Sequence, residues 1–144
     1  FHRVHHSDPA VDSTSAYRFH LGEMLLSTLL RLAVIPLLGI SLKNLALYEL
    51  VLQPVILFHH SNIAMPDRLD RWIRSTIVSP NMHRVHHSDI PAETNSNYAS
   101  IFSFWDRMAG TYRRREIAAI HYGLKEFRDP RWDTLPRLLT MPTV

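Results

Sequence analysis

Between Leu21 and Phe58, 25 of 38 residues are apolar, and the only charges are Glu23, Arg31, Lys43 and Glu49. The other 106 residues carry the remaining 25 charges of the chain. Two apolar runs make up the stretch, Met24 to Ile40 and Leu42 to Phe58. Gly39-Ile40-Ser41-Leu42-Lys43-Asn44 lies where they meet and reads as a turn. At ~1.5 Å per residue, runs of about 17 to 20 residues give about 26–30 Å of helix, close to the thickness of a hydrocarbon core. A hairpin buried in a soluble protein would show a polar stripe at helical period, and the polar positions here are too sparse to draw one. The stretch therefore reads as a membrane-embedded helical hairpin over about residues 21–58. Arg31, Pro36, Glu49, Gln53 and Pro54 should then face protein or water rather than lipid.

A hairpin returns both of its ends to one side. Arg18 and His20 before it thus share a face with His59 and His60 after it. That face carries Arg3, Arg18, Arg68, Arg71, Arg74 and Arg84, whereas the tip has only Lys43, so the basic side is expected to be cytoplasmic. Between Pro66 and Val78, Leu69, Trp72, Ile73, Thr76 and Ile77 follow helical spacing. This suits an interfacial helix and, equally, an amphipathic helix packed on its own domain. From about Arg113 the chain turns polar and mixed, and residues 131–144 read as a C-terminal tail. The 144 residues fit one domain. Sixteen Lys and Arg against 13 Asp and Glu is too mild a balance for nucleic acid. The absence of Cys excludes disulfides, thiolate metal sites and a Cys nucleophile. The chain begins at Phe1 without Met or a leader pattern and is expected to be the C-terminal part of a longer protein.

Ten His in 144 residues is the anomaly of composition. Residues 2–8 read His-Arg-Val-His-His-Ser-Asp, and residues 83–89 repeat the string identically. In a helix, positions i, i+3 and i+4 share a face, so His2, His5 and His6 would point one way, and likewise His83, His86 and His87. Ser79-Pro80 is a good N-cap and N1 pair for a helix holding the second copy. Imidazole is the commonest metal ligand near neutral pH. Three imidazoles on one helical face do not converge easily on one ion, so two adjacent ions sharing several helices fit better. Phe58-His59-His60-Ser61-Asn62 adds a third cluster, in which adjacent histidines diverge by about 100° and one is a ligand. Seven candidates are too many for a structural zinc site, which is normally four-coordinate. Asp8, Asp89, Ser7, Ser88 and Asn62 are candidates to accept the far N–H of a ligating imidazole, and equally candidates for capping and turns. His121 has no partner pattern. Asp106 and Arg107 read as a structural hydrogen-bonding element, and the aromatics from Tyr98 to Tyr112 as packing for the cap, with lipid-channel lining the lesser alternative. A soluble metal hydrolase would want a carboxylate base beside the metal, and neither box contains one.

Together these pieces resemble the membrane-bound fatty acid hydroxylase and sterol desaturase superfamily. The matching runs are His2 to Ser7, Arg18-Phe19-His20, Phe58 to Asn62, His83 to Ser88, Asn97-Tyr98, and Trp105-Asp106-Arg107-Met108-Ala109-Gly110-Thr111-Tyr112, covering roughly residues 1–130. The resemblance implies an all-α fold, a membrane helical hairpin with a cytosolic helical cap carrying histidine boxes. It implies a non-haem di-iron centre with His2, His5, His6, His60, His83, His86 and His87 as ligands. His60 is preferred to His59 because it immediately precedes Ser-Asn, and His20 and His59 remain possible ligands. The family's first histidine box is missing from this chain, so the fragment alone is expected to lack two ligands and to be inactive. The implied function is O2-dependent hydroxylation or desaturation of a fatty acyl or sterol-like lipid. Zinc can replace the two irons in preparations, and a cytochrome- or ferredoxin-type protein would donate electrons. The implied location is integral to the bacterial inner membrane or the endoplasmic reticulum. The alternative is a non-catalytic membrane protein with a structural zinc or iron site.

Overall fold

The computed structural model of the chain describes residues 1–143. Among the described residues eight α-helices follow one another: α1 (Arg3–His6), α2 (Leu21–Leu37), α3 (Leu42–His60), α4 (Asp67–Ile73), α5 (Pro80–His86), α6 (Pro91–Thr94), α7 (Phe104–Ala109) and α8 (Leu135–Thr140). Short 3-10 turns join several of them, and extended pairing among the described residues is confined to isolated bridges, Ile77 with Phe102 and Ser88 with Tyr122. The all-helical class agrees with the sequence reading.

The hairpin forms where expected. Gly39 takes a positive φ of 66°, and the Ser41 hydroxyl accepts from the Asn44 amide at 3.2 Å to start α3. Arg31 and Glu49 link the two helices at 2.7 Å, with Gln53 donating to the same carboxylate at 2.9 Å, so these polar side chains do face protein. The expectation of a full crossing is another matter. Among the described residues no helix is long and apolar enough to cross a membrane. Helix α2 stops at 17 residues, and the 19 of α3 include Lys43, Glu49, Gln53 and two terminal histidines.

The interior is unusually polar. No residue of α2 is buried, and Leu25, Leu30, Leu32 and Leu37 are all more than half exposed. By contrast Asp70, Asn97, Asp106 and His87 are among the largest fully buried side chains. Helix α4 illustrates the inversion: Leu69 and Trp72 point outward while Asp70 and Arg74 point in. The buried Asp70 carboxylate accepts from Arg74 and from the Ser79 hydroxyl, and Ser79 caps α5 through the Met82 amide at 3.2 Å. Pro80 follows at the first helical position, as the sequence suggested. The Arg74 carbonyl accepts from Ser103 and Arg107, both at 2.6 Å. Asn97, at φ 51°, donates to the carbonyls of Met82 and Arg113 and accepts from the Arg113 amide. Asp106 gathers the amides of Tyr98 and Ala99 and the Thr111 hydroxyl. The Asn-Tyr and Trp-Asp-Arg…Gly-Thr-Tyr runs are thus the frame that holds α5.

The first box is held differently. Arg18 donates to the Val4 carbonyl, the Ser7 hydroxyl and Asp133. The tail closes over α1, with Met141 and Phe127 packed on Val4 beside Leu124, Trp132 and Leu138. Removing the Asp70 carboxylate leaves the buried Arg74 guanidinium with only the exposed Asp67, 3.7 Å away, and takes from Ser79 the acceptor that orients its capping hydroxyl. Asp70→Ala should therefore lower unfolding stability by about 3–5 kcal/mol, with a much smaller effect for the exposed neighbour Asp67→Ala, as read by thermal melts in mild detergent. Equal losses would remove Asp70 as the anchor of α5.

Candidate metal centre

The two copies of the heptapeptide meet at the foot of the hairpin. Each gives its outer pair of histidines, one helical turn apart, to one group and its middle histidine to the other. His83 and His87 join His5, while His2 and His6 join His86. His60, at the end of α3, completes the first group. Within each group one ring nitrogen per residue lies within 4.8 Å of all the others. The groups adjoin, with the rings of His6 and His87 4.8 Å apart and those of His5 and His6 5.4 Å apart. All seven histidines singled out as ligand candidates are brought together, and they divide four and three.

The four-histidine group is fully buried. His60 Nε2 lies 3.2 Å from His5 Nε2 and 3.0 Å from His83 Nε2, and His83 Nε2 lies 3.1 Å from His87 Nε2. The His60 Nδ1 faces the Ile56 carbonyl at 2.9 Å. A carbonyl only accepts, so Nδ1 carries the proton and the neutral ring presents a lone pair at Nε2. Each Nε2 has room for one proton or one lone pair, yet His60 and His83 each meet two others. The three contacts cannot all be hydrogen bonds, whereas one cation would satisfy all four nitrogens. Burial, reinforced by neighbouring histidines, lowers His5 to about 3 and His6 to about 2, and holds His83 and His87 well below the ordinary value. The rings are therefore neutral at pH 7, the state a metal requires.

The three-histidine group is more open. His86 Nδ1 faces the Ser96 carbonyl at 2.7 Å, and its ring meets Tyr98 edge-on. His2 is exposed, and its Nδ1 lies 2.7 Å from the Glu23 carboxylate. Among the described residues this group has no counterpart of His60.

His59 is buried and packs on His83 with ring centroids 4.1 Å apart, but it lies outside both groups. His20 caps α2: its Nδ1 accepts from the Gly22 amide at 2.9 Å and its Nε2 faces the Leu139 carbonyl at 3.0 Å. With both nitrogens engaged it has no lone pair for a metal. Phe19, between Arg18 and His20, lies flat on the His5 ring at 5.3 Å. The side chains expected to support the imidazoles are turned away from them. Asp8 accepts from Ala10 and Ser15, Asp89 pairs with Arg128, and Asn62 is exposed beyond α3. Short side chains just after a box close turns rather than reach back to the rings. Backbone carbonyls and Glu23 take that place. Glu23 reads in the sequence only as a charge in an apolar run; its position at the helix start, on the side of the boxes, was the available signal.

Buried neutral imidazoles suit zinc, iron, copper or nickel. The donor set thus fits a transition-metal centre of one or two ions. A cavity of about 410 Å³ opens between α2 and α3 beside it. Phe19, Glu23 and Ile56, which all touch the histidines, line this cavity together with Met24, Leu52 and Gln53.

Compared with known proteins, residues 1–111 match the fatty acid hydroxylase family. The chain is 33% identical over 112 residues to an ornithine lipid hydroxylase of Rhizobium tropici, a match covering 78% of this chain and 33% of that protein. It is 45% identical over 53 residues to an alkylglycerol monooxygenase of Xenopus tropicalis and 38% identical over 64 residues to one of Danio rerio. Each of these matches covers 37% of this chain, and they cover 11% and 14% of the relatives. No solved structure matches.

The buried rings have a consequence for stability. In the unfolded chain His5 and His6 titrate near 6.5 and in the fold far lower. Their contribution is complete above pH 6.5 and is lost as pH falls from there toward about 3, because the unfolded state then binds more protons. The metal-stripped protein should show a melting temperature that falls steadily from pH 7 to pH 4, and a His5→Leu, His6→Leu pair should flatten the slope. A flat profile for the unsubstituted chain would contradict the neutral burial of these rings.

Proposed function

The chain belongs to the fatty acid hydroxylase family, and from that premise we propose that the whole protein carrying it acts as a membrane-embedded, non-haem di-iron oxidoreductase that hydroxylates a lipid C–H bond. The observation that carries this reading is the convergence of seven histidines into two adjoining groups. An unactivated C–H bond offers nothing to acid or base catalysis. Iron held by these groups would supply the redox chemistry, in which O2, two electrons and two protons convert R–H to R–OH and water. Zinc would fit the same nitrogens but has no redox chemistry. The electrons would come from a donor protein. Hydroxylation is preferred to desaturation because the matched relatives are named as a hydroxylase and as monooxygenases.

The chain's own residues have definable parts in this. His60 and His86 are fixed by the carbonyls of Ile56 and Ser96 so that Nε2 faces its group. Phe19 covers His5 and keeps water from the buried face. Arg84 ties α5 to the segment after α3 through the carbonyls of Ser61 and Ile63, setting His83 and His87 against His60. The outward apolar surface of α2 and α3 is the kind of large exposed patch that marks a membrane or partner contact. On this reading it sits in lipid, and the Arg-rich foot is cytoplasmic. The cavity between the helices would take the acyl or alkyl chain, with Met24, Leu52 and Ile56 as its apolar wall.

The test is isotopic. Membranes containing the full-length protein that carries this chain, supplied with 18O2 and a reduced pyridine nucleotide, should yield lipid carrying one 18O in a new hydroxyl group. His5→Ala and His86→Ala, one from each group, should abolish the label. Unlabelled lipid from the active preparation, or labelling that survives both substitutions, would contradict the proposal.

A further inference from the structure

Six of the seven clustered histidines are held by burial or by a backbone carbonyl. His2 is different. It stands at the cap of a four-residue helix, its side chain about half exposed, and its neighbours within the group are other imidazoles. What fixes its ring is Glu23, 21 residues further on, whose Oε1 lies 2.7 Å from His2 Nδ1.

This pairing is built rather than incidental. Phe1 stacks on His20, the cap of α2, with ring centroids 4.8 Å apart. A Cβ at Gly22 would stand 2.7 Å from the Phe1 ring and 3.0 Å from His20 Nδ1, so a side chain there would push the Phe1 ring from this seat. The seat brings the next residue, His2, over the first turn of α2, where Glu23 projects. The carboxylate also points to a cation beyond the imidazole. Its second oxygen, Oε2, is buried without a hydrogen-bond donor. A carboxylate half stripped of partners is poorly balanced by a neutral ring and well balanced by a ring whose other nitrogen binds a metal.

We propose that Glu23 is a positioning residue for the three-histidine group: it accepts the Nδ1–H of His2, which leaves the Nε2 lone pair aimed at a metal shared with His6 and His86. The inference rests on the reading of the histidine groups as metal sites. It gives the smaller group a carboxylate, for His2, beside the Ser96 carbonyl that holds His86, where the larger has the Ile56 carbonyl for His60. The competing role for Glu23 is structural, as an acidic residue in the first turn of α2.

Cobalt(II) titration of the whole chain in mild detergent, read by metal analysis and visible absorption, separates these. The unsubstituted protein should bind at two sites. Glu23→Ala should weaken one of them by about 10–100-fold and leave the other unchanged. Glu23→Gln, whose amide oxygen still accepts from Nδ1–H, should restore most of the loss. His2→Ala should affect the same site, and adding Glu23→Ala to it should do nothing more. Unchanged affinity in Glu23→Ala would overturn the inference while leaving the metal reading intact. So would a Glu23 effect that persists undiminished without His2, or a failure of Gln to rescue. Absence of any cobalt binding by the unsubstituted chain would overturn the metal reading and this inference with it.

Discussion

Four imidazole nitrogens meet in a buried space where hydrogen bonding alone cannot satisfy them. His60 and His83 each face two other Nε2 atoms at 3.0–3.2 Å, and a neutral ring has one proton or one lone pair to offer at that position. Protonation is no remedy, because burial holds these rings neutral. Much of the remaining architecture serves to press the nitrogens together. Asp70, Ser79 and Asn97 fix the start and middle of α5. Arg18 and the tail, through Asp133 and Met141, fix α1. The end of α3 carries His60 between them.

The repeated heptapeptide gains its meaning from this arrangement. Two identical strings facing each other can exchange partners, outer pair with middle residue, and so build two similar groups side by side. The groups are not equal. One is closed by His60 and buried, whereas the other keeps an exposed member, His2, and a carboxylate at its edge. Of the polar residues that would cost most in a lipid-facing stretch, Arg31 donates to Glu49 across the hairpin, and Gln53 donates to the same carboxylate within α3. The apolar side chains are left outside, and the proposed placement in a membrane is the environment in which such a surface is stable.

Much of this was legible in the sequence. Spacing i, i+3 and i+4 placed the box histidines on common faces, Ser79-Pro80 marked the start of α5, and Gly39 to Asn44 marked the turn. The six box histidines and His60 come to lie in two adjoining groups. What spacing could not give was their partition, since a helical face tells which residues share a side and not which partner helix each one meets. The supporting groups were misread for a related reason. Asp8 closes its own turn and Asp89 turns away to Arg128, while Glu23 and the carbonyls of Ile56 and Ser96 are brought in by tertiary contact. The depth of Asp70 was hidden because an acidic residue beside a basic one on a short helix ordinarily marks a solvated face. Helix α2 ends at Leu37, three residues before its apolar run does, whereas α3 covers its whole run but carries Lys43, Glu49 and Gln53, so neither is both long and apolar enough to cross a membrane.

The most direct test of the central claim is X-ray absorption at the iron edge on protein isolated from iron-replete cells in mild detergent, with iron and zinc quantified on the same sample. The account predicts about two irons per chain and a first shell dominated by imidazole nitrogen, recognisable from scattering by the outer ring atoms. A shell dominated by oxygen, or a single zinc with no iron, would contradict it.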